Sequence, residues 1–379
     1  DAGNYTLASN TATGTGAITP KALTVTGVAA GNKVYDGTLV ASVTGGTLNG
    51  LVSGETLSLS GLTGTFATQN AASNIAVTAS GAQLADGIGL ASNYTVSNPV
   101  GLQANITPKE LTIGGIAAGN KVYDGTRVAS LTGGALQGLV GDETLVLSGT
   151  TGVFGDKNAG SNKTVTVSGA SLADASGLAS NYTVSNPTGL TASITAKALT
   201  VTGQLAGNKV YDGNAQASLS GGVLSGLVGS ETLGIAGQTA VFSDKNAATA
   251  KAVTVTGTTL VDTASGLASN YTVGNPTGLT ASITAKALTL TGQLADNKVY
   301  DGNAQASLSG GALSGLVGSE TLGFGGQSAV FSDKNAATAK AVTVTGTTLV
   351  DTASGLASNY TVSNPTGLTA SITAKALTV

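Results

Sequence analysis

The chain has no cysteine, histidine, tryptophan or methionine. Without cysteine there are no disulfide staples, no thiolate nucleophile and no cysteine-bound zinc. Without histidine the usual general base and the commonest metal ligand are missing. Charge is scarce as well. Asp, Glu, Lys and Arg make up 9% of the residues, with a net charge of −3, against roughly a quarter in an ordinary soluble domain. No basic patch exists to neutralise phosphates, so nucleic acid is excluded as a partner. Aromatic residues are 4%, too few for the girdles of a membrane barrel. No apolar run approaches the ~18 residues of a membrane helix, and no transmembrane segment is expected. What is abundant is glycine, 56 of 379 residues. The polar surface must therefore come from Thr, Ser, Asn and backbone groups.

The string NKVYDG occurs at 32–37, 120–125, 208–213 and 297–302, in steps of 88, 88 and 89 residues. Asn-Tyr-Thr begins at Asn4, Asn93, Asn181, Asn270 and Asn359, and Lys-x-Leu-Thr at Lys21, Lys109, Lys197, Lys286 and Lys375. Three markers in one phase mean one folded unit copied end to end. The period is too long for a solenoid turn of about 20–50 residues and fits a small domain, so each copy is expected to bury its own modest core. We read four modules, 21–108, 109–196, 197–285 and 286–374. Residues 1–20 read as the C-terminal part of a preceding copy, and 375–379 as the start of a following one.

In the third module, Ala198–Thr202 alternates apolar and hydroxyl residues and reads as a strand. Lys209-Val210-Tyr211 is a short strand closed by a tight turn at Asp212-Gly213. Ala217–Leu219, Leu233–Ile235, Ala240–Phe242, Ala252–Thr256, Tyr271–Val273 and Leu279–Ile283 complete about eight short strands. Leu224, Leu227 and Val228 sit at near-helical spacing, but Gly226 and Gly229 limit that stretch to one short turn at most. The fold class is all-β: a tandem array of small β-sandwich-like modules joined end to end. The alternative is a β-grasp-like module with one short helix at SGLVGSE.

No flexible linker separates the modules. Across Leu279–Leu290, Ile283 and Leu288 are five residues apart, so on one extended strand they point to opposite faces. The segment is expected to leave one core and enter the next. Pro20 and Pro108 stand where later junctions have Ala196, Ala285 and Ala374, and proline suits an unpaired link. Ten-residue strands span about 33 Å, and four modules in line would make a rod on the order of 150 Å.

The repeat signature is Tyr35-Asp36-Gly37, Tyr123-Asp124-Gly125, Tyr211-Asp212-Gly213 and Tyr300-Asp301-Gly302. It is read structurally, with the Tyr ring packed and the Asp capping a glycine turn, rather than as a ligand-contact pair. Asn208, Lys209 and Glu231 raise the idea of a self-made isopeptide cross-link. Asp244-Lys245-Asn246 raises a calcium site, but calcium wants six to eight oxygens, and the first module has Thr68-Gln69 instead of Asp-Lys. Turn chemistry is the better account. Asp212 and Glu231 as a glycosidase carboxylate pair have nothing placing them together. A serine nucleophile has no histidine to serve it. The Gly-Gly pairs lack the pattern of a phosphate loop. Asn-Tyr-Thr is formally a glycosylation acceptor, but is read as a strand whose Tyr and Val point inward. No catalytic residue, metal site or cofactor is expected, and the chain is not read as an enzyme.

Taken together, NKVYDG, SGLVGSETL, VFSDKNAATAKAVTVTG and GLASNYTV followed by LTASITAKALTV resemble the YDG-type, mostly-β, glycine-rich repeats of filamentous-haemagglutinin-like bacterial adhesins exported by two-partner secretion. The resemblance covers the whole chain. It implies a secreted, cell-surface location and export of an unfolded chain, which the lack of cysteine suits. It also implies a stalk or spacer that projects a functional tip and supports adhesion or biofilm. The other reading is a set of repeated binding modules for a polysaccharide or another copy of the adhesin.

Overall fold

The structure is a computed structural model and describes residues 2–4, 6 and 14–378. Tyr5 of the first Asn-Tyr-Thr marker, residues 1 and 7–13 of the stretch read as a preceding copy, and Val379 lie outside the described residues. The chain is all-β. Its only helices among the described residues are three-residue 3-10 turns, such as Ala91–Asn93 and Ala179–Asn181. The SGLVGSE stretch forms no helix. In the first module it is a turn in which the Glu55 N–H donates to the Val52 carbonyl at 3.1 Å. Gly50 and Gly54 flank it at φ +103° and +89°, a left-handed backbone that ends any right-handed helix. The helix of the β-grasp alternative is therefore absent.

The first module shows the pattern that the others repeat. Its strands are β1 (Lys21–Ala30), β2 (Lys33–Val34), β3 (Val40–Ala41), β4 (Val43–Asn49), β5 (Leu57–Ser60), β6 (Thr63–Phe66), β7 (Ala72–Ser80), β8 (Gln83–Asp86), β9 (Tyr94–Val96) and β10 (Leu102–Thr107). They form a three-stranded sheet in the order β4-β1-β9, a five-stranded sheet in the order β2-β10-β7-β6-β3, and the pair β5-β8. β1 runs antiparallel to β4 and parallel to β9. Period-two alternation sets the buried face: Ile75, Val77 and Ala79 of β7 are buried while their neighbours face out.

The chain divides into two compact units. One comprises residues Asp1–Lys121, Arg127–Asp156 and Ser161–Ser193; the other comprises Val122–Thr126, Lys157–Gly160 and Ile194–Val379. The second unit thus claims two short segments of the second copy, its YDG turn and its Lys157-Asn158 turn. The cores explain why. In the first unit, Tyr35, Phe66, Ile75, Val77 and Ile106 of the first copy form one cluster with Leu111 and Tyr182 of the second. In the second unit, Tyr211, Phe242, Val253 and Ile283 of the third copy cluster with Leu288 and Tyr360 of the fourth.

This corrects the expectation that each copy closes its own interior. In the first unit the five-stranded sheet of the first copy, and in the second unit the four-stranded sheet of the third, shares its core with the three-stranded sheet of the copy that follows. Leu111, 0% exposed, lies in one cluster with residues of both copies, and burying such a side chain is worth about 2 kcal/mol. The strand-to-strand link is as read from the sequence: only Pro108 separates β10 from the strand Lys109–Gly114, which belongs to another sheet. Ile283 and Leu288 are both buried, at 2% and 4% exposure.

Candidate functional site: the junction between modules

The YDG tyrosine ends strand β2 and its equivalents, where its backbone N–H donates to the last residue of the linking strand, as Tyr35 does to the Thr107 carbonyl at 2.9 Å. This anchors the ring at the boundary. In the first unit, the Tyr35 hydroxyl donates to Oε1 of Glu143 at 2.5 Å, and the Tyr182 hydroxyl donates to Oε2 of the same carboxylate at 2.7 Å. The two rings meet edge to face, with centroids 5.3 Å apart, a favoured aromatic geometry. The Tyr182 oxygen also accepts from the Val140 N–H at 3.0 Å. Beside them, the Asn181 carbonyl oxygen accepts from the Ala71 N–H at 2.8 Å, and its amide donates to Oδ1 of Asn70 at 3.0 Å. Tyr35, Asn70 and Ala71 belong to one copy; Val140, Glu143, Asn181 and Tyr182 belong to the next.

The second unit contains the arrangement twice. Tyr123 and Tyr271 donate to Glu231 at 2.6 and 2.7 Å, and Asn270 bonds the Ala159 N–H and Asn158. Tyr211 and Tyr360 both donate to Glu320 at 2.6 Å, and Asn359 bonds the Ala247 N–H and Asn246. Both tyrosine pairs again have centroids 5.3 Å apart. Lys157 adds an ion pair to Glu231 at 3.1 Å and Lys245 one to Glu320 at 3.3 Å. Those lysines are half exposed, so their pairs add little. The first unit has Gln69 at this position.

The protonation states follow from the geometry. Burial raises the phenol pKa values, and hydrogen bonding to the carboxylate raises them further, so that Tyr35, Tyr211, Tyr271 and Tyr360 are pushed up to about 12. Burial pushes Glu231 and Glu320 up, but the bonds donated by two tyrosines and a lysine together outweigh it and hold both carboxyls below their ordinary value. The junction is one charged acceptor between two neutral donors, and charge-assisted bonds of this kind are the strong ones.

The YDG signature divides its labour. Asp36 Oδ1 accepts from the Thr38 N–H at 2.9 Å and from Lys33 Nζ at 2.7 Å, capping the turn. Gly37 has φ +76°, and a Cβ there would stand 2.9 Å from Val140 of the next copy. Gly125 and Gly213 meet Val228 and Val317 in the same way, at 2.9 and 2.8 Å. Glycine is required for the turn and again for the close approach of the neighbour.

Where a junction partner is not described, these residues open up. Tyr35, Tyr123 and Tyr211 are 1–2% exposed, whereas Tyr300 is only half-buried. Gly302 has open space at its Cβ position. Asn181, Asn270 and Asn359 are each 1% exposed, whereas Asn93 is exposed. Glu55 accepts from Tyr94 of its own copy.

The other candidate groups are held elsewhere. Lys209 bonds Asp212 and Asn214, and Asn208 accepts from the Ser282 N–H, so neither meets Glu231. Asp212 and Glu231 have separate partners and form no acid–base pair. Asp244 caps the Asn246 N–H and binds the buried Lys251 at 2.7 Å, which is turn chemistry. Among the described residues no three acidic side chains gather. Asn-Tyr-Thr is more than an inward strand: its Asn closes a 3-10 turn and reaches into the neighbouring copy. Two shallow grooves, of about 530 Å³ beside Thr24–Val28 and about 450 Å³ beside Thr289 and Pro365, carry no aromatic ring or carboxylate on their walls.

Sequence reasoning missed Glu143, Glu231 and Glu320 as partners of the YDG tyrosines, and Asn181, Asn270 and Asn359 as clamps. Their recurrence in the same phase as the signature was the available signal. No curated protein matches the chain. The YDG domain family matches residues 19–101, 107–189, 195–278 and 284–367, and the chain belongs to that family as four tandem copies.

Proposed function

We propose that these repeats are the structural stalk or spacer of an exported bacterial surface adhesin of the filamentous-haemagglutinin-like kind, carrying a functional tip away from the cell and supporting adhesion or biofilm. On this reading the protein is no enzyme, leaves the cell by two-partner secretion, and works mechanically. One observation carries the reading: the signature tyrosines of the first three repeats are consumed in holding the next repeat. A ligand-binding array would present its signature residues to solvent, whereas here Tyr35, Tyr123 and Tyr211 are 1–2% exposed. The low charge of the surface further suits a spacer that must tolerate changing salt, since little of it depends on screened ion pairs. The absence of cysteine suits passage of an unfolded chain.

Small-angle scattering tests the reading. A spacer gives an extended particle with a maximum dimension on the order of 150 Å. A compact globule would end it. A glycan array on the whole chain is the second arm: silence is expected, and avid binding would favour the polysaccharide-binding alternative, because four weak copies add through avidity.

A further inference from the structure

The first, third and fourth copies each have two parallel strand pairs, and each pair joins an early strand to a late one. In the first module β1 runs parallel to β9, with Lys21 opposite Tyr94, and β2 runs parallel to β10, with Lys33 opposite Ile106 and Val34 opposite Thr107. The third module has Lys197 opposite Tyr271 and Lys209 opposite Ile283, and the fourth has Lys286 opposite Tyr360 and Lys298 opposite Ile372. Residues of the NKVYDG string fasten the second pair. The Asn105 N–H donates to Asn32 Oδ1 at 2.7 Å, the Thr107 hydroxyl donates to the Lys33 carbonyl at 3.3 Å, and the Tyr35 N–H donates to the Thr107 carbonyl at 2.9 Å. The asparagine bond recurs at Asn120, Asn208 and Asn297, at 2.6–2.7 Å.

We propose that these parallel pairs form a shear clamp that makes a copy resist tension along the chain. Tension enters the first module at the N-terminal end of β1 and leaves it at the C-terminal end of β10, which only Pro108 separates from the next strand. In each parallel pair the earlier strand is therefore reached from its N-terminal side, and the later strand from its C-terminal side. Two parallel strands pulled that way slide along their common axis. The evenly spaced bonds between them are strained together and give way together. An antiparallel hairpin pulled by its two open ends unzips instead, one bonded pair at a time. The other partners add to the resistance, since β1 must also slide on β4, and β10 on β7. The Asn of NKVYDG thereby has a task of its own, because it adds a side-chain bond to the short ladder between β2 and β10.

The proposal deepens the spacer reading by naming what a copy does under load, and the two can fail separately. Scattering reports extension, whereas pulling reports resistance. An extended chain whose copies give way easily would keep the spacer and end the clamp.

Single-molecule pulling on the full chain tests it. The chain has no cysteine, so introduced cysteines define where load enters. Tethers at the two chain ends shear the parallel pairs. Tethers at Thr63→Cys and Ser80→Cys, both exposed and opposite each other at the open end of the β6–β7 hairpin, unzip that hairpin. End-pulled copies are expected to rupture at higher force than the hairpin, each releasing 88 or 89 residues, about 300 Å of extended chain. Rupture at or below the hairpin force would overturn the proposal. Asparagine variants then locate the clamp. Changing Asn32, Asn120, Asn208 and Asn297 together to Ala is expected to raise the unfolding rate at fixed load roughly 2- to 10-fold. Asn98, Asn186, Asn275 and Asn364 each accept one backbone N–H at 2.9–3.0 Å outside the parallel pairs. Changing those four to Ala is expected to lower stability in urea to a similar degree and leave the rate under load unchanged. Circular dichroism verifies that both sets fold, and the comparison of tethers stands without them. Equal rate changes in the two sets, or none in the first, would also overturn the clamp.

Discussion

Replacing Glu231 by Ala removes the one acceptor that serves both Tyr123 and Tyr271 in the second unit. The Tyr123 hydroxyl donates to it at 2.6 Å and the Tyr271 hydroxyl at 2.7 Å, both partly buried. An unsatisfied buried donor costs about 1–3 kcal/mol. Tyr271 keeps the bond that it accepts from the Val228 N–H at 3.0 Å, which places its share at the low end. The Lys157 pair, half in water, adds little. The expected loss is about 2–4 kcal/mol, which raises the opening equilibrium of this junction about 30- to 1000-fold. Hydrogen exchange read by mass spectrometry locates the loss. The Ala159 N–H, held by Asn270, and the Tyr123 N–H, held by the Thr195 carbonyl, should lose protection although both lie far from position 231 in sequence. Glu231→Gln keeps the shape and loses the charge, so it should fall between the variant and wild type. The reasoning is refuted if protection falls only within 197–285, or if residues 122–126 and 157–160 exchange as in wild type.

Three further outcomes follow from the same geometry. The carboxyls of Glu231 and Glu320 lie below their ordinary value of 4.5, so their contribution is complete above that pH and is lost as pH falls through the depressed value. The raised phenols, at about 12 for Tyr211, Tyr271 and Tyr360, contribute fully below pH 10 and are lost as pH climbs toward 12. Exchange at the Ala159 and Ala247 amides against pH, corrected for intrinsic rates, should show both limbs. Gly213→Ala and Gly302→Ala both force alanine to a positive φ, at about 1 kcal/mol, but only Gly213 faces a neighbouring valine at 2.8 Å; urea unfolding should show the first variant to be the more destabilised, by a further ~1 kcal/mol. Lys251, 9% exposed, is paired to Asp244, whereas the first module has Ile75 and Thr68 at these positions. Asp244→Ala should cost about 1–3 kcal/mol, less than a fully buried pair because Asp244 is half in water. The double change Asp244→Thr with Lys251→Ile should come within ~1 kcal/mol of wild type or above it in the same assay.

The strands were legible because their alternation is strict. The AVTVT string at Ala252–Thr256 reads as a strand, and its Val253 and Val255 are buried. The odd spacing of Ile283 and Leu288 predicts two cores; both residues are buried, but in one cluster, because their two strands belong to different sheets that pack on each other. The partners of the YDG tyrosines were not legible, and the reason lies in repetition itself. Tyr211 is as well in phase with Glu231 of its own copy as with Glu320 of the next. Only the fold shows that, within the second unit, Glu231 turns back to Tyr123 and Glu320 back to Tyr211. The same degeneracy hid Asn270, which looks like a strand residue until the 3-10 turn at Ala268–Asn270 aims it at Ala159. The Asp-Lys-Asn string reads as one turn, yet its Asp stays home while Lys245 and Asn246 serve the neighbour.

The central claim is that the YDG tyrosines Tyr35, Tyr123 and Tyr211 bond across copies rather than within their own. A double-mutant cycle on the whole chain, pairing Tyr211→Phe with Glu320→Gln and separately with Glu231→Gln, tests it most directly. Opening free energies from hydrogen exchange should give a coupling of about 1–2 kcal/mol between Tyr211 and Glu320, and none beyond ~0.3 kcal/mol between Tyr211 and Glu231. Coupling to Glu231 with none to Glu320 would contradict the account.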